Sequence, residues 1–336
     1  MIRKIIPKTY TSFRCLAGAC PDTCCQQWDI DVDKATLSAY ESLQGPLGEK
    51  IRSHLHEGED GPVITLEDGQ CPMHRKDGLC EIQASLGEEL LCQVCRDFPR
   101  LTHDYGSFQE LGLELSCPEA ARLLLTEADN EPPQIQECPG TGDCDLDEEA
   151  LALLLKTRDK ALSLFDSSRP LSQALTLLLF YGLSVQQMLD GEEGADFSSE
   201  DSLETAQALA QGGDFSTVPR FFGELDVLTE EWTDLLSQVT APRLSPLCRN
   251  LARYLISRYW LQAVSDYDLY CRVKFILISC LLVSSLPGDF IWNAHLFSKE
   301  IENDCENVEA ILDGAYSSPV FTDARLLGYL QQAEIF

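Results

Sequence analysis

Basic residues are scarce in this chain. It carries 25 lysines and arginines against 55 aspartates and glutamates, a net charge of -30. Phosphate backbones are gripped by lysine and arginine, so this balance excludes a general nucleic-acid binder. Long hydrophobic runs are lacking too. The most apolar one, Phe275 to Val283, falls far short of the ~20 residues that span a bilayer. No apolar stretch of ~7–15 residues follows the basic residues of MIRKIIPKTYTSFRC, so no export signal is visible. The expectation is a cytoplasmic protein without a membrane partner. A G-x-G-x-x-G turn between a strand and a helix is also missing, and LPGDF at 286–290 is no substitute. A doubly wound nucleotide-binding fold is therefore not expected.

Cysteine, in contrast, is abundant. There are 15, an odd number that cannot pair completely, and nine of them lie between Cys15 and Cys117. Reducing compartments disfavour disulfides, so clustered cysteines there point to metal or redox chemistry. The first group is Cys15, Cys20, Cys24 and Cys25 in CLAGACPDTCC. The second is Cys71 and Cys80 in CPMHRKDGLC. The third is Cys92 and Cys95 in LCQVCRDFPR, and Cys117 closes the set. Thiolates are soft ligands for zinc or iron–sulfur clusters. Two closed four-cysteine zinc sites would use eight of the nine sulfurs. One four-iron cluster with about four thiolates is equally economical. Nine cysteines in ~100 residues are too dense for buried or free thiols without metal; an iron–sulfur site is expected, with zinc as the alternative. The CxxC at 92–95, if helical, puts two sulfurs on one face. Adjacent Cys24 and Cys25 do not easily point the same way, which suggests that only one is a ligand. His74 lies between Cys71 and Cys80 but reads as a solvated loop residue, and His103 and His295 carry no pattern.

The remaining organisation predicts a mainly α protein. An irregular cysteine-rich metal-binding module covers 1–126, an acidic linker 127–147, and an all-helical domain 148–336. Segment 33–56 predicts two short helices, the first capped by Asp33 or Thr36. Segment 85–97 predicts one helix opened by a Ser85–Glu88 capping box. Residues 127–150 hold nine acidic residues and three prolines and predict a mobile connection. Cys138 and Cys144 in that stretch read as stray thiols. Beyond 148 the 3.6-residue period dominates, with helical patterns through 170–190, 200–211, 245–264, 270–286, 298–313 and 322–332.

The strings PKTYTSFRCLAGACPDTCCQQWDIDVDKATLSAY, CPMHRKDGLCEIQASLGEELLCQVCRDFPR and FSKEIENDCENVEAIL resemble the flagellin lysine N-methylase family. That family falls within a wider group of zinc- or iron-chelating proteins with a CxxCxxCC-type motif. Here the first group is spaced Cys15-x4-Cys20-x3-Cys24-Cys25. The resemblance implies methylation of lysine side chains on flagellin or another protein, with S-adenosyl-L-methionine as donor. It also implies an iron–sulfur cluster, 4Fe-4S in type, in the cysteine module. Cys15, Cys20, Cys24, Cys25, Cys71, Cys80, Cys92 and Cys95 fall on the family's cysteine positions and are the expected metal ligands.

Lysine methylation needs a neutral amine, so a proton must leave a group of ordinary pKa ~10.4. Nitrogen, methyl and sulfur must also lie in line. Glu300, Glu302, Asp304 and Asn307 cluster in the C-terminal string. Tyr254, Tyr259, Tyr267 and Tyr270 lie in an aromatic-rich helical region. None is singled out as catalytic or cofactor-binding. The CxxxCxxC triad of radical S-adenosylmethionine chemistry is absent, so a structural or positioning role is expected for the cluster. The alternative function is a non-catalytic metal or redox protein that senses or delivers metal. A zinc-stapled scaffold for a basic partner is a third reading.

Overall fold

The computed structural model describes residues 1–58, 61–127, 131–140, 146–166, 169–194 and 197–335. The protein is mainly helical, but its first part is not irregular. Seven strands there build two small sheets: β1 (Ile2–Ile6), β2 (Ile30–Asp31), β3 (Leu55–Glu57), β4 (Pro62–Ile64), β5 (Arg100–Asp104), β6 (Phe108–Leu113) and β7 (Gln134–Cys138). The larger sheet has the order β5-β6-β1-β7. β1 runs parallel to β6, with Arg3 opposite Phe108, and antiparallel to β7, with Ile2 opposite Cys138. β5 and β6 form a hairpin. Its turn needs Gly106, at φ 73°, because a side chain there would be strained. The Asp104 carboxylate accepts the Gly106 N–H at 2.9 Å. β7 corrects the expectation for the acidic segment, part of which is an ordered edge strand. The smaller sheet has the order β2-β4-β3.

Six short helices accompany these strands: α1 (Lys8–Ser12), α2 (Lys34–Ser42), α3 (Pro46–Ser53), α4 (Glu81–Leu86), α5 (Gln93–Asp97) and α6 (Pro118–Thr126). The two helices expected in 33–56 are present. Asp33 caps α2, accepting from the Thr36 N–H at 3.0 Å and the Thr36 hydroxyl at 2.7 Å. It also accepts from the Gln93 N–H at 2.9 Å, which ties α2 to the start of α5. These hydrogen bonds, the Thr36 hydroxyl first, hold its carboxyl down at about 2. Loss of such a cap costs ~1 kcal/mol, so Asp33→Ala is expected to unfold at lower urea by that amount. A depressed carboxyl stabilises above the ordinary carboxylate range and ceases to as the pH falls to about 2. The gap between Asp33→Ala and the native protein in urea titrations should therefore close in acid.

The single helix expected over 85–97 is interrupted. Gly87, at φ 91°, ends α4, a tight turn covers 88–90, and Cys92 opens α5. Ser85 lies inside α4, so it caps nothing at its predicted position.

Among the described residues ten helices follow: α7 (Glu148–Ser163), α8 (Leu171–Leu189), α9 (Ser199–Leu209), α10 (Thr217–Gly223), α11 (Glu230–Ser237), α12 (Cys248–Tyr259), α13 (Leu269–Ser285), α14 (Phe290–Phe297), α15 (Cys305–Ser317) and α16 (Asp323–Gln332). The second part is not purely helical, since Arg243–Leu244 pairs with Glu334–Ile335 in a two-stranded ladder. α13 is buried on nearly every face, as expected of a helix apolar all round, and α8, α12, α15 and α16 pack about it. Ser298–Glu302, between α14 and α15, is π-helical, so the helix expected over 298–313 is two elements. π-bulges are frequent at functional sites. The main core joins these helices to Tyr105, Phe108, Leu115, Ala121 and Leu125 of the first part. A separate small core surrounds Tyr40, Ile51, Ile64, Met73 and Ile82.

Candidate functional site

The small core gathers five of the expected ligands. Cys71 and Cys92 are buried in it, and Cys25, Cys80 and Cys95 pack against it. The Cys71 N–H donates to the Cys25 carbonyl at 2.8 Å. Tyr40 donates its hydroxyl to the Leu90 carbonyl at 2.7 Å and lies 3.5 Å from the Cys92 sulfur. His74 meets Cys80 through a backbone bridge. Burial pushes the Cys71 thiol up to about 12, and the charges of Cys25, Cys80 and Cys92 add to that rise. Two thiol pairs divide their protons unequally. A hydrogen bond from Cys24 draws Cys25 down to about 7, while the reciprocal bond raises Cys24. Cys92 is likewise lowered by Cys95, and Cys95 raised by Cys92. CxxC at 92–95 thus faces one way, as the i,i+3 spacing requires.

The other three, Cys15, Cys20 and Cys24, and the further Cys117 are outside that core. Cys117 is the N-cap residue of α6 and packs with Phe13, Leu113 and Ala120. Burial raises its thiol to about 11, with further contributions from Cys20 and Cys15. Cys24 feels Cys15 and Cys117 as well as Cys25. Among the described residues no three His, Cys, Asp or Glu side chains close to the distance that one metal ion requires. Cys138 ends β7, and Cys144 lies outside the described residues. Cys248, Cys271 and Cys280 are buried in the helical part, and Cys305 is exposed.

Asp22, inside CPDTCC, anchors this loop to the π-helix region. Its Oδ2 accepts from His295 Nε2 at 2.8 Å and from Lys299 Nζ at 2.7 Å. His295 Nδ1 faces the Leu115 carbonyl at 3.2 Å. Lys299 Nζ stands 5.6 Å from the centre of the Trp28 ring. The Cys20 sulfur donates to the Asp22 carbonyl at 2.8 Å. Burial alone would raise the Asp22 carboxyl, but the His295 and Lys299 hydrogen bonds hold it below its ordinary value.

A cavity of about 780 Å³ opens between β5–β6 and helices α7 and α12, within the ~300–1,000 Å³ range of small-molecule sites. Its walls include His103, Glu110, Arg158, Arg253, Tyr254 and Arg258. Arg158 grips Glu110 with two bonds, at 2.7 and 2.6 Å. Arg258 donates to the Tyr254 hydroxyl at 2.8 Å. Tyr254 and Tyr259 in turn donate to the buried Glu302, at 3.3 and 3.0 Å. Burial, reinforced by the charges of Arg258 and Arg158, pushes His103 below its usual 6.5. The shift favours the neutral imidazole. From the cavity wall at Leu113 the chain passes through Leu115, which receives His295, to Cys117. The cavity wall and Cys117 are thus a few residues apart on one segment.

Of the polar candidates read from sequence, Glu302, Tyr254 and Tyr259 meet. The rest serve elsewhere. Glu300 accepts from the Leu228 N–H at 2.7 Å, Asp304 caps α15 through the Asn307 N–H, and Asn307 reaches the Asp226 carbonyl. Tyr267 donates to Asp147, and Tyr270 receives Lys274 on its ring face. Sequence reading missed His103 and His295, which stand alone without a spacing signature.

No protein-family profile and no solved structure matches the chain. The chain is similar to the "Flagellar biosynthetic protein FliU" of Salmonella muenchen, 33% identical over 132 residues, which are 37% of this chain and 77% of that protein. It is similar to the "Lysine-N-methylase" of Salmonella typhimurium and of Salmonella choleraesuis, each 33% identical over 132 residues. Those residues are 37% of this chain and 32% of either enzyme, so the match spans about a third of their length.

Proposed function

Because the chain belongs to the flagellin lysine methylase family, we propose that it is a protein-lysine N-methyltransferase that uses S-adenosyl-L-methionine. Its cysteine module would hold an iron–sulfur cluster. The observation that carries this reading is the cavity walled by His103, whose imidazole burial and the neighbouring arginines hold below its usual pKa. A lysine side chain entering there can pass its proton to His103. Tyr254, held by Glu302 and Arg258, lines the same cavity. The tyrosine faces and the acidic surface suit a cationic donor and a basic segment of a protein such as flagellin.

The chemistry of the donor set suits a cluster, although among the described residues no three of these side chains stand within reach of one ion. Cys25, Cys71, Cys80, Cys92 and Cys95 bring soft sulfurs from three loops into one core, and about four suffice. The cluster, when bound, would cross-link those loops. Protein purified without oxygen, given labelled S-adenosylmethionine and flagellin, should put methyl groups on lysines found by peptide mass spectrometry. Metal-loaded protein that binds the donor but leaves flagellin unlabelled would sink the enzyme reading.

A further inference from the structure

We infer that the cavity holds an α-amino-acid end of its ligand, with the carboxylate on Arg253 and the ammonium on the acid pair Asp159 and Asp166. The methionyl end of the methyl donor is the group of that kind, so the inference rests on the proposed function and names the residues that grip the donor. The argument starts from α12. Its sequence, CRNLARYLISRY, carries three arginines and no acid. Leu251, Ala252, Leu255 and Ile256 are buried in the main core. Arg249, Arg253 and Arg258 fall on the other face, at helical spacing, and line the cavity together with Arg158 of α7.

Three of these four arginines are engaged. Arg158 holds Glu110. Arg258 has the Glu302 carboxylate at 3.4 Å. Arg249 donates to the carbonyls of Phe165, Asp166 and Arg169, at 2.9, 2.9 and 2.6 Å, beyond the end of α7. Arg253 makes a single bond, to the Leu162 carbonyl at 3.1 Å. Among the described residues no carboxylate forms an ion pair with it. It is half-buried, where a cation without a counter-charge is costly. Most donors of its planar fork stay open, and such a fork takes a carboxylate through two parallel bonds.

The rest of the wall narrows the ligand. Asp159, one turn before Leu162 on α7, and Asp166, just past the end of that helix, line the same cavity. Both are exposed, and among the described residues neither forms an ion pair. A cationic group on the ligand finds its partner there. The net charge of -30 repels a free anion but not a zwitterion. An amino-acid end carries both charges a few atoms apart, and a cavity of about 780 Å³ leaves room for the nucleoside attached to it.

Paired ligands test this. S-adenosylhomocysteine carries the amino-acid end, and methylthioadenosine is the same nucleoside thioether without it. Both would be titrated calorimetrically into the full chain, purified without oxygen, as the native protein, as Arg253→Gln and as the double variant Asp159→Asn with Asp166→Asn. The native protein should bind S-adenosylhomocysteine the more tightly. Arg253→Gln should weaken that ligand about 10- to 100-fold, the size of a charge-assisted contact, and bind methylthioadenosine as before. The acid pair is exposed, so the double variant reports even if Arg253→Gln fails to fold, and it too should weaken S-adenosylhomocysteine alone. Equal native affinity for the two ligands overturns the inference. So does unchanged S-adenosylhomocysteine affinity in both variants, or equal loss of both ligands in Arg253→Gln. A native protein that binds neither ligand sinks the donor reading and this inference together. Binding that ignores Arg253 sinks this inference alone and leaves methyl transfer standing.

Discussion

The His103→Gln variant is expected to transfer methyl groups about 10²- to 10⁴-fold more slowly than the native protein, the usual contribution of a positioned general base. Glutamine keeps the approximate size and polarity of the side chain but cannot take up a proton at neutral pH. The donor should bind both proteins alike in calorimetry, because the loss lies in the proton transfer. The pH profile carries the sharper signature. Burial and the neighbouring arginines hold the His103 pKa below 6.5. The native rate should therefore be flat through neutrality and fall only as the pH drops through that depressed value. In the variant that acid limb should vanish. A native rate with an unchanged profile would remove His103 from the chemistry.

Asp22→Asn is expected to destabilise the fold by about 3–5 kcal/mol, the cost of breaking a buried ion pair by removing one partner. The Lys299 and His295 side chains are only 2% and 1% exposed, and Asp22 11%. Asparagine keeps the shape and leaves the buried lysine without its counter-charge. The exposed pair Lys8–Glu131, at 53% and 66%, should by comparison contribute ~0–1 kcal/mol. Denaturant titrations should show a lower midpoint with an unchanged slope. Acid should mimic the substitution. The Asp22 carboxyl is depressed, so its contribution is complete above the ordinary carboxylate range and is lost as the pH falls through its folded value. A change under ~1 kcal/mol would mean that Asp22 does not hold the cysteine loop to the π-helix.

The helical half was legible because its helices repeat apolar residues at 3.6. α8, α9, α12 and α16 fall where the pattern put them. α14 and the π-turn escaped because the segment is buried almost all round, which leaves no polar face to mark a period. The larger sheet was invisible for another reason. Its neighbours lie about a hundred residues apart, as with Arg3 and Phe108, and strands of five or six residues carry little pattern. β7 was further masked by acidic residues and prolines around it. For the site, five of the clustered cysteines do gather at one small core, and Glu302 with Tyr254 and Tyr259 were among the candidates. The role of Asp22 was not visible, because it arises from His295 and Lys299, more than 270 positions away.

β1 has a place in time as well as in space. It lies inside the larger sheet, between β6 and β7, so one of its edges cannot pair until residues 108–113 exist and the other until residues 134–138 do. At ~5–20 residues per second on the ribosome, Ile2–Ile6 waits on the order of ten seconds with both ladders open. Closing so long a loop makes the sheet a late event. The cysteine loops between Cys15 and Cys95 are complete well before then. The small core around Tyr40 and Met73 is therefore complete in sequence first, while β1 waits as an unpaired strand beside it.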